Sequence, residues 1–162
     1  MVDVVPGQTA GGWVEIGVAH TACQRRIDAP CQPGVQQGVD GVIRVHEPFV
    51  RCLEDLEGFD RLWVLFVFHR SEGWRDRVKP PRGVGKRGLF ATRGPHRPTP
   101  IGLTCARVLR IASPHLELAG LDLLDGTPVV DIKPYIPRVD AFPDARAGWV
   151  DEVDHERPRK RR

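Results

Sequence analysis

The chain predicts a mainly β fold: a single compact antiparallel β-barrel with one or two short helices. Three observations carry this. Short β-branched or alternating runs recur along the chain, at Trp13 to His20, Val42 to Glu47, Arg61 to His69, Leu103 to Ile111, Leu116 to Leu118 and Thr127 to Ile132. Turn signals separate them, drawn from 17 Gly and 15 Pro. The 162 residues, 41% hydrophobic, suffice for one domain with a real core, and the longest apolar run, Leu62 to Phe68, is too short to span a bilayer.

The elements follow in order. Residues 1–12 carry no basic region followed by an apolar stretch, so a flexible leader is expected rather than a secretion signal. WVEIGVAH (Trp13 to His20) and VIRVHE (Val42 to Glu47) read as strands, separated by a loop with APCQPG (Ala29 to Gly34). Phe49, Cys52, Leu53 and Leu56 follow Pro48 at helical spacing and predict a short amphipathic helix, stopped by Gly58. RLWVLFVFH (Arg61 to His69) reads as a strand buried on both faces, ending in His69 and Arg70. Ser71 to Arg87 is a long polar, proline-containing loop of the kind that is either functional or disordered. LTCARVLRI (Leu103 to Ile111) and Leu116 to Leu118 predict a hairpin, and Thr127 to Ile132 a further strand. The barrel domain is thus expected over 13–142, with 143–162 a basic, mobile tail.

The charge is unevenly placed. Net charge is +3, yet Arg61 to Arg97 holds ten Lys or Arg against Glu72 and Asp76, and RPRKRR (Arg157 to Arg162) adds +5. A basic segment in an otherwise acidic chain points to a polyanionic partner. Arginine outnumbers lysine 20 to 4, which suits planar contacts to phosphates and bases. Cys23, Cys31, Cys52 and Cys105 are scattered, with no C-x-x-C, so neither a zinc site nor a disulfide framework is expected. Reduced thiols fit a cytoplasmic location.

The chemistry is expected in two runs, GLFATRGPHRPTPIG (Gly88 to Gly102) and DLLDGTPVVDIKPYIP (Asp122 to Pro137). Both are stiffened by proline and carry charge in apolar surroundings, as a rigid binding loop requires. Arg93 and Arg97 bracket GPH, and their guanidinium forks suit a carboxylate or phosphate; internal salt bridges to the aspartates of the second run are the plainer alternative. The spacing of Asp122 and Asp125 lets one acid face a cavity while the other caps the turn. His69 either contacts a ligand or satisfies a backbone carbonyl at the barrel rim. Tyr135, the single tyrosine, either stacks on a purine or packs in the core. GVGKRG (Gly83 to Gly88) matches G-x-G-x-x-G but follows VKPPR and precedes LFATRGPHRP, which cannot start a long helix, so it is no dinucleotide site.

RGLFATRGPHRPTPIGL together with DLLDGTPVVDIKPYIP resembles the tRNA threonylcarbamoyl-adenosine methyltransferases, the TrmO or YaeB-like family. LEGFDRLWVLFVFHR (Leu56 to Arg70) and QPG (Gln32 to Gly34) match in the same order, so the resemblance covers about Val14 to Asp140. It implies a β-barrel that binds S-adenosylmethionine without a Rossmann fold, as a homodimer, with no metal. The implied substrate is threonylcarbamoyl-adenosine in the anticodon stem-loop of tRNA, methylated on its exocyclic amino nitrogen. Carried over by motif, the cofactor positions are Pro33, Gly34, Val35, His69, Arg70, Arg93 and Leu103, with Gly120, Leu121, Asp122 and Leu123 completing the pocket. Thr99 stands where the family usually has Asn, and Gly94 where it has Ser. Some bacterial members continue into a carboxy-terminal domain that this chain is expected to lack.

The nitrogen to be methylated must lose its proton, so Asp122 or Asp125 is expected to accept it, and Arg93 or Arg97 to bind the threonyl carboxylate or the developing anion. Arg75, Arg77, Lys79, Arg82, Lys86 and Arg87 are expected to grip RNA phosphates, with Tyr135 as a stacking residue. Two alternatives stand beside this reading: a methyltransferase of the same fold acting on another nucleotide or a small molecule, and a non-catalytic RNA-binding or S-adenosylmethionine-sensing module.

Overall fold

The computed structural model describes residues 12–25, 39–81 and 85–156. Pro33, Gly34, Val35, Arg82 and the RPRKRR run lie outside the described residues. Six strands close into an antiparallel barrel, β1 (Gly17–Thr21), β2 (Val39–Val45), β3 (Arg61–Val67), β6 (Ile101–Ala112), β7 (His115–Leu121) and β8 (Thr127–Pro134), in the spatial order β1-β2-β7-β6-β3-β8. The pairing of Gly17 with Val129 joins β1 to β8 and closes the circle, leaving none of these six strands with an open edge. A separate two-stranded ribbon, β4 (Arg77–Val78) with β5 (Arg87–Gly88), stands within the long polar loop. The expected barrel and its hairpin of β6 and β7 are both present.

The core fills the barrel with Ile43, Leu62, Val64, Phe66, Leu116, Leu118, Leu121, Leu123 and Val129, all nearly inaccessible to solvent. Strand β3 corrects the expectation of burial on both faces. Leu62, Val64 and Phe66 point inward, whereas Trp63, Leu65 and Val67 are half-buried, because a closed barrel has a single interior and successive side chains alternate across its wall.

The short helix expected at Pro48 is present as a 3-10 helix, Glu47–Leu53, which ends well before Gly58. Leu53 inserts into the core while Cys52 is exposed, and Asp55, at φ 64°, turns the chain before a longer helix can form. Past Tyr135 come the single turn α1 (Pro137–Asp140) and, in the segment expected to be a tail, α2 (Trp149–Glu156). Among the described residues no helix is long and apolar enough to cross a membrane.

Strand β6 turns small residues inward: Gly102, Thr104 and Ala106 are buried, while Leu103 and Arg107 face out. A Cβ on Gly102 would collide with the ring of Phe66, which at 2% exposure has no room to swing away. Gly102→Ala is therefore expected to destabilise the fold by about 1–3 kcal/mol, read from the urea midpoint. A loss under about 0.5 kcal/mol, the range of ordinary surface changes, would refute this packing.

Candidate functional site

A groove of about 520 Å³ opens where β3 and β6 meet the first motif run. Trp63, Phe66 and Phe68 supply aromatic walls, Leu103 and Cys105 line β6, and Arg93, Arg97 and Asp122 bring charge. The volume and the mixture of apolar wall with a few convergent polar groups are those of a small-molecule site.

The loop that carries the arginines is fastened at both ends and in the middle. The Leu89 amide donates to the Asp76 carbonyl at 2.8 Å, and the Phe68 amide to the Pro100 carbonyl at 2.8 Å. Between these, the Ser71 hydroxyl meets the Pro95 carbonyl and His96 Nδ1, each at 3.0 Å. From α2, Trp149 Nε1 donates to the Ala91 carbonyl at 2.8 Å, and the Arg87 guanidinium lies 5.5 Å from the centre of the Trp149 ring. Prolines at 95, 98 and 100 add local stiffness.

The two arginines have different employment. Arg97 donates to the Thr92 carbonyl at 3.0 Å and sits 5.5 Å over the Phe90 ring, so it braces its own loop while reaching the groove. Arg93 is exposed, lines the groove and lies close enough to Asp122 to favour its charged form. The internal salt bridge considered for Arg97 is replaced by these backbone bonds.

The two acids also divide. Asp122 lines the groove, and burial pushes its pKa up; the Thr104 hydroxyl, its own backbone amide and Arg93 pull in the other direction. Neither Asp122 Oδ1 nor Thr104 Oγ1, both buried, completes a hydrogen bond of good geometry. A carboxyl desolvated in a groove, beside a hydroxyl and a guanidinium that act on its charge, is a functional-site candidate. Asp125 stands outside this groove. Its carboxylate accepts from the Thr21 amide and from Gln24 Nε2, both at 3.2 Å, with His20 Nδ1 at 3.5 Å. Those bonds hold its pKa below the ordinary carboxylate value, the behaviour of a turn cap and not of a base.

His69 and Arg70 follow Phe68 and do not line the groove formed by the described residues. Desolvation and the neighbouring Arg70 lower the His69 pKa, against a backbone hydrogen bond with Val67, the rim contact considered from the sequence. Arg70 donates to the Gln24 carbonyl at 2.9 Å, tying the end of β3 to the segment after β1. Leu121 and Leu123 send their side chains into the core, so only their backbones are available to a ligand, and Gly120 adopts φ 82°, a left-handed turn. Tyr135 packs edge-on against Trp63 at 5.6 Å between ring centres, behind the groove wall.

Arg75, Arg77, Lys79 and Lys86 are exposed on the β4–β5 ribbon and its flanks, while Arg87 is half-buried under Trp149. Gly85 to Gly88 runs into a two-residue strand and a three-residue 3-10 turn, so no helix N-terminus follows the glycines. Thr104, Trp63, Phe66 and Phe68 were not singled out from the sequence. The small-residue parity of Gly102, Thr104 and Ala106 was the available signal for Thr104.

Fold and groove together define a small β-barrel protein with a groove formed by strands β3 and β6 and the first motif run. Residues 18–141 match the tRNA-methyltransferase O N-terminal domain, and the chain belongs to this TrmO family. It is 41% identical over 146 residues to the tRNA (adenine(37)-N6)-methyltransferase of Escherichia coli, covering 84% of this chain and 62% of that protein. A probable S-adenosyl-L-methionine-binding protein of Pyrococcus abyssi is 35% identical, with 86% of this chain and 76% of that one aligned. The crystal structure of TrmO from Pseudomonas aeruginosa superposes with a TM-score of 0.71 at 40% identity, over 85% of this chain and 61% of that one. The chain thus spans less than two thirds of the length of the E. coli relative.

The two aspartates predict opposite pH effects on stability. The raised pKa of Asp122 means that its charge costs stability above that pKa, a cost gone below the ordinary value near 3.8. Asp122→Asn should therefore raise Tm at pH 7.5, by an increment that shrinks as the pH falls toward 4. The lowered pKa of Asp125 gives stability above the ordinary value and loses it as the pH falls through the folded one, so Asp125→Asn should lower Tm at pH 7.5. Equal effects of the two substitutions would contradict the assignment.

Proposed function

We propose that the protein is an S-adenosylmethionine-dependent methyltransferase that methylates the exocyclic amino nitrogen of threonylcarbamoyl-adenosine beside the anticodon of tRNA. The observation that carries the reading is the desolvated Asp122 carboxyl beside the Thr104 hydroxyl in the lining of an aromatic-walled groove, with Arg93 close enough to favour its charge. The names of the E. coli and Pyrococcus relatives supply the reaction and the cofactor.

The groove fits the cofactor in size and chemistry: about 520 Å³, aromatic walls for a base, and a carboxylate for a cation or hydroxyls. Leu103, Arg93 and the backbone of Gly120 to Leu123 would hold it, with His69 and Arg70 beyond the end of β3. When bound, S-adenosylmethionine supplies a methyl group made electrophilic by its sulfonium.

The lone pair of the acceptor nitrogen is delocalised into both an adenine ring and a carbonyl, so attack requires loss of its proton. Asp122, in the groove lining, accepts that proton directly or through water. Its raised pKa makes it a stronger base than a solvated aspartate, whereas Asp125, held below the ordinary value, is a weaker one. Arg93 binds the threonyl carboxylate or the charge that develops on the urea oxygen, and the fastened loop holds it there before substrate arrives. Arg97 acts as a positioning residue through the Thr92 carbonyl. The exposed cations Arg75, Arg77, Lys79 and Lys86 take the phosphates. The half-buried apolar outer face of β3, with exposed Leu103 beside it, supports assembly as a homodimer.

The test is transfer of labelled methyl from S-adenosylmethionine to tRNA carrying unmethylated threonylcarbamoyl-adenosine, with tRNA lacking that group as control. Label is expected only in the modified tRNA; label in neither would refute the reading. Arg93→Ala should lower the rate about 100-fold or more, the size of effect seen when one charge-stabilising donor is removed. Affinity for tRNA should fall steeply with added salt, and a flat response would exclude phosphate gripping.

A further inference from the structure

We propose that Phe90 and Trp74 form a stacking platform for an unpaired base of the RNA at the rim of the groove, an inference that rests on the RNA substrate proposed above. Phe90 is 80% exposed and Trp74 57% exposed. Leaving two large aromatic rings in water forgoes the gain of burying them, and such surfaces mark interaction sites.

The local fold explains how the rings come to be displayed. Leu89 is buried at 4% exposure and roots the 3-10 turn Leu89–Ala91, so the next side chain, Phe90, is turned outward. The Leu89 amide bonds to the Asp76 carbonyl at the end of the β4–β5 ribbon, where Arg77 pairs with Gly88. Trp74 precedes Asp76 and Phe90 follows Leu89, so the two chains bring both aromatics to the same end of the ribbon. The Arg97 guanidinium, 5.5 Å from the centre of the Phe90 ring, is itself held by the Thr92 carbonyl and lines the groove. Phe90 therefore stands beside a cation that itself lines the groove.

The surroundings select a nucleic-acid base over an apolar protein partner. Arg75, Arg77, Lys79 and Lys86 are exposed around the ribbon, and of the nearby acids Asp76 spends one carboxylate oxygen on the Arg77 amide. Cations that track phosphates, interleaved with exposed aromatic faces, are the arrangement that binds single strands, because every base has a face to stack. A nucleotide loop offers splayed bases in just this way.

The test measures the Kd of a labelled anticodon stem-loop RNA for wild type, Phe90→Ala, Phe90→Tyr, Phe90→Leu and Trp74→Ala. Phe90→Ala and Trp74→Ala should each weaken binding about ten-fold, with an unchanged slope of log Kd against log salt, since no phosphate contact is lost. Phe90→Tyr should bind within about two-fold of wild type, and Phe90→Leu, apolar but without a π face, should not. Wild-type affinity in Phe90→Ala, or full rescue by Leu, would overturn the platform alone. Failure of the wild-type protein to bind the RNA would overturn the proposed substrate as well.

Discussion

The register between β6 and β7 is the constraint on which the groove depends. Arg107 faces Ala119 and Val108 faces Leu118, but Arg110 faces Glu117, so Leu109 is an extra residue and bulges out of the ladder. With the bulge in place, Gly102, Thr104 and Ala106 take the interior and Leu103 the exterior. A slip of one residue would reverse every side chain, turning Leu103 inward against Phe66 and Thr104 into solvent. Asp122 depends on the same end of the hairpin. Leu121 and Leu123 are locked in the core on either side of it, and Asp122 between them reaches the groove lining beside Thr104.

Around this scaffold the first motif run is held by bonds from four directions: the ribbon at Asp76, the end of β3 at Phe68, the turn at Ser71, and α2 at Trp149. Prolines reduce what the loop loses in entropy on folding, and the Arg97 bond to Thr92 fixes its interior. A site for group transfer benefits from this stiffness, because positioning supplies much of the rate when the leaving group needs no protonation. Electrostatics then separates two acids that look alike in sequence. Three residues apart, Asp122 has its pKa raised by burial and Asp125 has its own lowered by bonds to Thr21 and Gln24.

Much of the fold was legible because barrel strands announce themselves by alternation and by glycine and proline between them. The first motif run was legible as a stiff, charged loop, whereas half of the second, Thr127–Pro134, is strand β8 of the barrel wall; Asp122 and Asp125 were legible as a pair with divided duties. Which acid faces the groove was not, since the choice turns on the Thr21 amide and Gln24, about a hundred residues away in sequence. Strand β3 reads as buried on both faces because apolarity alone does not say that Trp63, Leu65 and Val67 lie outside the barrel wall. Strand β6 misleads for the opposite reason: its larger apolar residue Leu103 is outside, and small Gly102 and Ala106 are inside to admit Phe66. The bulge at Leu109 and the clasp of Trp149 on Ala91 leave no local signature at all.

The most direct test is the titration of the Asp122 and Asp125 carboxyl carbons by NMR, set beside the pH dependence of single-turnover methyl transfer. Asp122 should titrate above the ordinary value of 3.8 and Asp125 below it, with the acid limb of the rate following Asp122. An Asp122 that titrates at or below Asp125, or a rate indifferent to its ionisation, would contradict its assignment as the proton acceptor.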